Sequence, residues 1–169
     1  MIELIKASIE TIEELEYILK NMDQETYQKI GPMTPYCIGR HLRHIVGFYL
    51  ALQVSDQTKV ADYTVRQRDN LIESDLSAAK KQVQIIKNWL PTLTHDQSIK
   101  VMVEIQQSQT VNLDIESSLS RELAYISEHS VHHMAYISLM LKTMNVQLEK
   151  EVGMAPSTAT YLRKQKAQA

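Results

Sequence analysis

The chain has 169 residues, with 18 basic and 20 acidic side chains and a formal charge of −2. This length suits a single domain over residues 1–169, and the near-balanced charge excludes the basic surface of a nucleic-acid-binding protein. The longest apolar run, residues 45–52, is far below the roughly 20 residues that a membrane span needs, so we expect no membrane partner. The first residues carry no apolar signal-peptide core and Cys37 is the only cysteine, which predicts a cytoplasmic protein.

Apolar residues recur every three or four positions along most of the chain, and Gly and Pro number only four each. This composition and period favour long amphipathic helices. Gly31-Pro32 and Pro91 end predicted helices, while Thr34, followed by Pro35, is predicted to cap the next one. We therefore predict four long helices, over residues 2–30, 34–55, 67–90 and 119–145.

The period changes to two over residues 99–116, where apolar and often β-branched residues alternate with polar ones in two runs. This pattern predicts a β-hairpin, at about 97–116, with one apolar face. Residues 56–66 read as a polar connection, and about 153–169 as a tail with one short helix over 158–166. The sequence therefore predicts an all-α four-helix bundle with a small β-hairpin inserted between helices 3 and 4.

Two histidines four residues apart, His129 and His133, lie in the fourth predicted helix. Residues at this spacing share one face of a helix, so two imidazoles are aimed at one point beside the apolar stripe. Imidazole is the commonest neutral metal ligand, and a third donor is expected from His41 or His44 in the second helix. Helix phase slightly favours His41, which is nearer the centre of the stripe. The alternative is that these histidines only form hydrogen bonds with carbonyl or tyrosine oxygens at the margin of the core.

Short motifs spread over most of the chain resemble the DinB/YfiT-like superfamily of four-helix-bundle metalloproteins. They are GRHLRHI (39–45), YTVRQRD (63–69), REL (121–123), EHSVHH (128–133) and APST (155–158). The resemblance implies an up-down-down-up bundle, a homodimer and a divalent metal held by three histidines. By position in the motifs, those ligands are His44, His129 and His133. The resemblance therefore favours His44 over His41 as the third ligand, although helix phase slightly favours His41. His41 and His132 then become candidates for partners of the ligands or for walls of a substrate pocket.

Four further side chains are candidates for the chemistry around such a metal. Glu122, two turns before His129, is a candidate base for a water at the metal or an acceptor for a ligand, and otherwise an acid that complements the helix dipole. Tyr136 is a candidate to orient a ligand or to donate to a developing oxyanion, and otherwise a core residue. Arg66 and Arg68 are candidates to clamp an anionic group of a substrate, and otherwise an exposed cluster at the start of the third helix.

Three neutral nitrogens leave coordination positions open to water or substrate, which is typical of catalytic sites. The leading hypothesis is an enzyme that uses Zn²⁺ or Ni²⁺ to activate a water or a low-molecular-weight thiol toward a small-molecule substrate. The resemblance implies hydrolases and thiol-dependent transferases or isomerases, so both reaction types stay open. The alternative is a non-catalytic helical module for binding or dimerisation, with a structural or vestigial metal site.

Overall fold

The computed structural model describes residues 1–32, 34–65 and 70–168. Over these residues the chain is mostly helical, with seven α-helices and a small three-stranded sheet. The elements in chain order are α1 (Ile2–Lys20), α2 (Gln24–Gln28), α3 (Ile38–Thr58), β1 (Val60–Asp62), α4 (Asn70–Ser74), α5 (Leu76–Trp89), β2 (Ser98–Glu104), β3 (Asn112–Ser118), α6 (Leu119–Thr143) and α7 (Pro156–Lys166).

The first predicted helix is interrupted near its end. α1 stops at Lys20, and the separate helix α2 begins after Asp23. The carboxylate of Asp23 accepts a hydrogen bond from the Thr26 N–H at 2.8 Å, and an aspartate in this role marks the start of a helix. The prediction of one helix over 2–30 is therefore wrong beyond Lys20, because this local cap starts a new helix.

The second predicted helix, α3, begins at Ile38 instead of Thr34. Thr34 is buried, and its hydroxyl accepts a hydrogen bond from the Tyr36 N–H at 3.3 Å, so it stabilises a local turn instead of capping the helix. Cys37 takes the N-cap position without a side-chain hydrogen bond. The apolar stripe of this helix is buried, with its members Ile38, Leu42, Ile45, Tyr49 and Leu52.

The third predicted helix is two helices in the structure. α4 and α5 are separated at Asp75, whose carboxylate accepts hydrogen bonds from the N–H groups of Ser77 and Ala78. Residues 66–69, where the sequence predicts the helix to begin, lie outside the described residues. Pro91 follows α5 within a 3₁₀ turn, in agreement with its predicted role at the helix end.

The predicted hairpin is confirmed, and it is joined by a third strand. β2 and β3 pair antiparallel, with Val101 opposite Ile115. β1 lies parallel to β2 on its other edge, with Ala61 beside Val101, although the sequence predicts only a polar connection over 56–66. A strand of three residues carries too little alternation to be recognised from the sequence. The chain is therefore mostly helical with a mixed three-stranded sheet, where the sequence predicts helices and a lone hairpin.

The fourth predicted helix is confirmed as α6, with the hydroxyl of Ser118 accepting a hydrogen bond from the Arg121 N–H at 3.3 Å. α6 contacts α3 and α1, and α5 contacts both α1 and α3. The two histidine-bearing segments therefore lie on helices in direct contact.

The predicted C-terminal helix is present as α7 and starts at Pro156. Within the three described ranges, no helix combines the length and the apolar character needed to cross a membrane.

Candidate metal centre

Three histidines from two helices converge where α3 and α6 meet. His44 comes from α3, and His129 and His133 come from successive turns of α6. The Nε2 of His44 is 3.0 Å from the Nε2 of His129, and the Nε2 of His133 is 3.2 Å from the same nitrogen. The ligand atoms of the three rings all lie within 4.8 Å of one another. The structure therefore brings together the three residues that the sequence predicts as a set, here called the histidine cluster.

Hydrophobic packing explains why these rings face inward. On α6, Ile126, Met134 and Ile137 are buried, and the two histidines lie at the margin of this stripe. On α3, Leu42 and Ile45 are buried on either side of the histidine that joins the cluster. All three histidines are half-buried. The core therefore holds the rings in place while leaving part of each one accessible to a ligand.

The donor set fits a divalent transition metal. In a tetrahedral site with metal–nitrogen bonds of about 2.0–2.1 Å, ligand atoms lie about 3.3–3.4 Å apart. The two separations from the His129 nitrogen, 3.0 and 3.2 Å, are close to that value. A single proton can bridge one such pair of nitrogens, but the His129 nitrogen faces two others. A cation between the rings would satisfy all three lone pairs at once.

Burial favours the neutral form of the α6 histidines. Burial, followed by the neighbouring histidines with His44 first, lowers the pKa of His133 to about 3. Burial also lowers the pKa of His129, with a smaller contribution from His132. A neutral imidazole has a lone pair free for a metal, so these shifts favour a cation over a proton at the cluster.

His41 lies outside the histidine cluster and contacts the opposite ring nitrogen of His133. The two Nδ1 atoms are 3.2 Å apart, and the His41 ring centroid is 5.0 Å from that of Tyr136. The Nε2 of His41 is buried and has no hydrogen-bond partner among the described residues. Burial, with a smaller effect of Arg40, lowers the pKa of His41. The geometry thus selects His44 for the cluster, as the motif resemblance implies and helix phase does not.

His132 and Tyr136 border the histidine cluster without joining it. His132 is exposed, and its ring centroid is 5.5 Å from that of His133. Tyr136 is half-buried and packs against the ring of His41. Among the described residues, the group that could hold a metal contains neither of them.

Three aromatic rings form a wall beside the histidine cluster. Phe48 lies 5.0 Å from His44 and 4.9 Å from His129, measured between ring centroids. Tyr125 stacks on His129 at 5.7 Å with an interplanar angle of 16°, and Tyr63 lies 4.8 Å from Phe48. Tyr125 and Tyr63 are not among the site residues predicted from the sequence. The spacing of four between Tyr125 and His129 is the signal that could have identified Tyr125.

Glu122 belongs to a separate polar cluster, two turns before His129 on α6. Its side chain is only 7% exposed. One carboxylate oxygen accepts a hydrogen bond from the Tyr63 hydroxyl at 2.9 Å, and the other accepts one from the Ser117 hydroxyl at 2.6 Å. Burial, and then the negative charge of Glu122, raise the pKa of Tyr63. Glu122 therefore fixes Tyr63 in the aromatic wall, and both of its oxygens accept hydrogen bonds from the protein.

A concave surface beside His44 offers access to the cluster. The surface is lined by Arg43, Gly47, Phe48, Asp62, Tyr63 and Val65. The Arg43 Nε is 3.1 Å from a carboxylate oxygen of Glu73, so this cation is paired. Arg66 and Arg68, the predicted anion clamp, follow Val65 in the chain and lie outside the described residues. The described lining therefore places the apolar ring of Phe48 next to His44 at this surface.

No protein-family model matches the chain, and no solved structure matches it significantly. Among curated proteins, the chain is similar to FK506-binding protein 5 of Rhizopus delemar, with 29% identity over 109 residues. That stretch covers 63% of this chain and 28% of the relative, so the chain matches less than a third of the relative's length.

Proposed function

We propose that His44, His129 and His133 hold one divalent metal ion, Zn²⁺ or Ni²⁺, in the active site of a metal-dependent enzyme. The observation that carries this proposal is the convergence of three Nε2 atoms, with separations of 3.0 and 3.2 Å from the His129 nitrogen. Cations of this borderline softness bind imidazole nitrogen well. Three protein ligands leave the remaining positions to water or substrate, as in known catalytic centres.

When bound, such an ion would lower the pKa of a water or of a low-molecular-weight thiol and would polarise a substrate carbonyl. The chain's own residues would orient the ligands and exclude solvent. Phe48 and Tyr125 pack on the histidine rings and shield one side of the cluster. The concave surface beside His44 would receive the small-molecule substrate. A hydrolase and a thiol-dependent S-transferase both fit this arrangement.

In this proposal the two catalytic candidates from the sequence act through their neighbours. Glu122 holds the hydroxyl of Tyr63 at 2.9 Å and so keeps the aromatic wall in place. Tyr136 packs on the ring of His41, 5.0 Å away, and so supports the contact of that ring with His133. Neither residue is assigned a proton transfer.

We further infer membership of the DinB/YfiT-like superfamily, with its up-down-down-up four-helix bundle and a homodimer as the assembly. The closed set of contacts among α1, α5, α3 and α6 supports the bundle. The motifs GRHLRHI and EHSVHH, which carry the resemblance, meet in the histidine cluster, as membership requires. An experimental structure tests the helix directions, and light scattering of the purified protein tests the dimer.

Metal content tests the proposed centre directly. After dialysis against Zn²⁺ or Ni²⁺, the protein is expected to retain about one ion per chain, as a single three-ligand site requires. The His129→Ala, His133→Ala double variant is expected to retain none. His95→Ala is the control, because His95 is exposed and its ring nitrogen contacts the neighbouring Thr94 hydroxyl, away from the histidine cluster. Stoichiometric metal in the double variant would end the proposal.

Cobalt substitution separates a catalytic centre from a structural one. In the Co²⁺-loaded protein, azide or a small thiol is expected to bind the open position and to change the visible absorption spectrum. The same additions to the double variant are expected to cause no change. If neither additive changes the spectrum of the Co²⁺-loaded wild type, the proposed enzymatic function is contradicted.

A second candidate is a non-catalytic module for binding or dimerisation, with a structural metal. It is supported by the partial similarity to a protein named for binding FK506. Calorimetric titration of the protein with FK506 tests this candidate. Saturable binding that persists in the double histidine variant would favour this candidate, and the absence of binding would count against it.

A further inference from the structure

We propose that His41 is a positioning residue of the metal centre, which holds His133 in the tautomer that presents its Nε2 to the ion. This role rests on the metal site proposed above. Two observations carry it: the 3.2 Å contact between the Nδ1 atoms of His41 and His133, and the buried Nε2 of His41, which has no partner among the described residues.

The tautomer follows from the number of protons on a neutral imidazole. Such a ring carries one N–H, so a nitrogen that binds a metal must leave the proton on the other nitrogen. The Nε2 of His133 faces the Nε2 of His129, inside the cluster, which makes it the ligand atom. The proton of His133 then lies on Nδ1, and a neighbouring imidazole can accept a hydrogen bond from this N–H only through its unprotonated nitrogen. The Nδ1 of His41, at 3.2 Å, is that acceptor.

The tautomer of His41 follows from that of His133. Because its Nδ1 accepts a hydrogen bond, its own N–H lies on Nε2, which is buried without a partner among the described residues. The ring is held by Tyr136, whose centroid is 5.0 Å away. A buried, unpaired N–H destabilises a folded protein. His41 is therefore expected to contribute to metal binding and to contribute nothing to the stability of the metal-free fold.

Ligand histidines commonly donate their second N–H to an outer partner, and loss of that partner typically weakens metal binding by about 10–100-fold. In most sites that partner is a carboxylate or a carbonyl. A histidine in this place accepts the hydrogen bond without adding a negative charge. The centre therefore keeps the overall charge of the ion, which favours an anionic ligand such as hydroxide or a thiolate at the open position.

Two substitutions at His41 separate positioning from packing. His41→Phe removes the acceptor, whereas His41→Asn keeps a side-chain oxygen near the position of Nδ1. His132→Asn is the matched control, because His132 is exposed and its ring lies 5.5 Å from the ring of His133. The Kd for Zn²⁺ is measured by competition with a chromophoric chelator, and the thermal midpoint of each metal-free variant is measured by circular dichroism.

We expect His41→Phe to weaken Zn²⁺ binding by about 10–100-fold, with a metal-free midpoint equal to or above that of the wild type. His41→Asn and His132→Asn are expected to stay within about threefold of the wild-type Kd, below the roughly 10–100-fold range that loss of an outer partner causes. Equal affinities of wild type and His41→Phe would overturn the proposal. So would weak binding by His41→Asn in a variant as stable as the wild type.

A spectroscopic measurement on the wild type keeps the proposal testable if His41→Phe does not fold. In the Zn²⁺-loaded protein, long-range ¹H–¹⁵N spectra are expected to show the proton of His133 on Nδ1 and that of His41 on Nε2. A proton on the Nδ1 of His41 would overturn the assignment. Failure of the wild type to bind Zn²⁺ at all would instead refute the metal centre itself, so the two failures are distinguishable.

Discussion

Two polar clusters lie along α6, and they are completed in different ways. Around Glu122, each carboxylate oxygen accepts a hydrogen bond from a hydroxyl group, so the protein satisfies the cluster by itself. Around His129, one ring nitrogen faces two others, at 3.0 Å from His44 and 3.2 Å from His133, and a single proton cannot serve both contacts. Because buried polar groups are normally paired within the protein, the incomplete cluster is the one that calls for an external ion. This difference assigns a structural role to Glu122 and a ligand-binding role to the histidines.

The largest expected effect comes from removing a single histidine of the cluster. His44→Ala is expected to weaken Zn²⁺ binding by more than about 100-fold, because loss of a ligand costs more than loss of an outer partner. Competition titration with a chelator measures the change. Glu122→Leu is the matched comparison, and its Kd is expected to stay within about threefold of the wild type. Equal losses in both variants would show that the two clusters are not functionally distinct.

The metal itself is expected to stabilise the fold through the histidine cluster. At a free Zn²⁺ concentration of about 100 times Kd, a ligand that binds only the folded state adds about 2.7 kcal/mol to the free energy of unfolding. Urea unfolding with Zn²⁺ and with a chelator measures this gain. The His129→Ala, His133→Ala variant is expected to show no gain. A gain of similar size in that variant would place the bound metal elsewhere.

The Glu122 cluster is expected to affect stability and leave metal binding intact. Glu122→Leu leaves the hydroxyl groups of Tyr63 and Ser117 without their acceptor, which costs about 1–3 kcal/mol of unfolding free energy. Chemical denaturation of the metal-free protein measures the loss. Glu128→Leu, an exposed glutamate on the same helix, is the control and is expected to change stability by less than about 0.5 kcal/mol. If Glu122→Leu is as stable as the wild type, Glu122 has no structural role.

The smallest effect near neutral pH is expected from the titration of His133 in the metal-free protein. The pKa of His133 is about 3 in the folded chain, against 6.5 for an unperturbed histidine. Between these two values, His133 is protonated in the unfolded chain and neutral in the folded chain. The free energy of unfolding is therefore unaffected by this residue above about pH 6.5, and it decreases as the pH falls toward 3. Urea midpoints measured at several pH values in the presence of a chelator report this decline. His133→Asn should show a shallower slope, and an identical slope would exclude His133 as its source.

Local periodicity explains which parts of the fold could be predicted from the sequence. α6 and the β2–β3 hairpin were predicted because their apolar residues recur at a helical period and at a period of two over many residues. The breaks at Asp23 and Asp75 were missed, since a single capping aspartate leaves the helical pattern on either side unchanged. β1 was missed because three residues contain no measurable period. The bundle arrangement and the family remain predictions.

The amino-acid sequence alone was enough to identify His129 and His133 as a pair, because their spacing of four on a helix puts both rings on one face whatever surrounds them. It could not choose between His41 and His44, which differ by about 60° around a helix axis, within the error of any phase estimate. Only the packing of α3 on α6 decided that His44 meets the pair and that His41 contacts the outer nitrogen of His133. The partners of Glu122 were likewise decided by tertiary structure, because Tyr63 is far from it in the chain. Spacing along one helix is a local property, whereas the approach of two helices depends on the whole core.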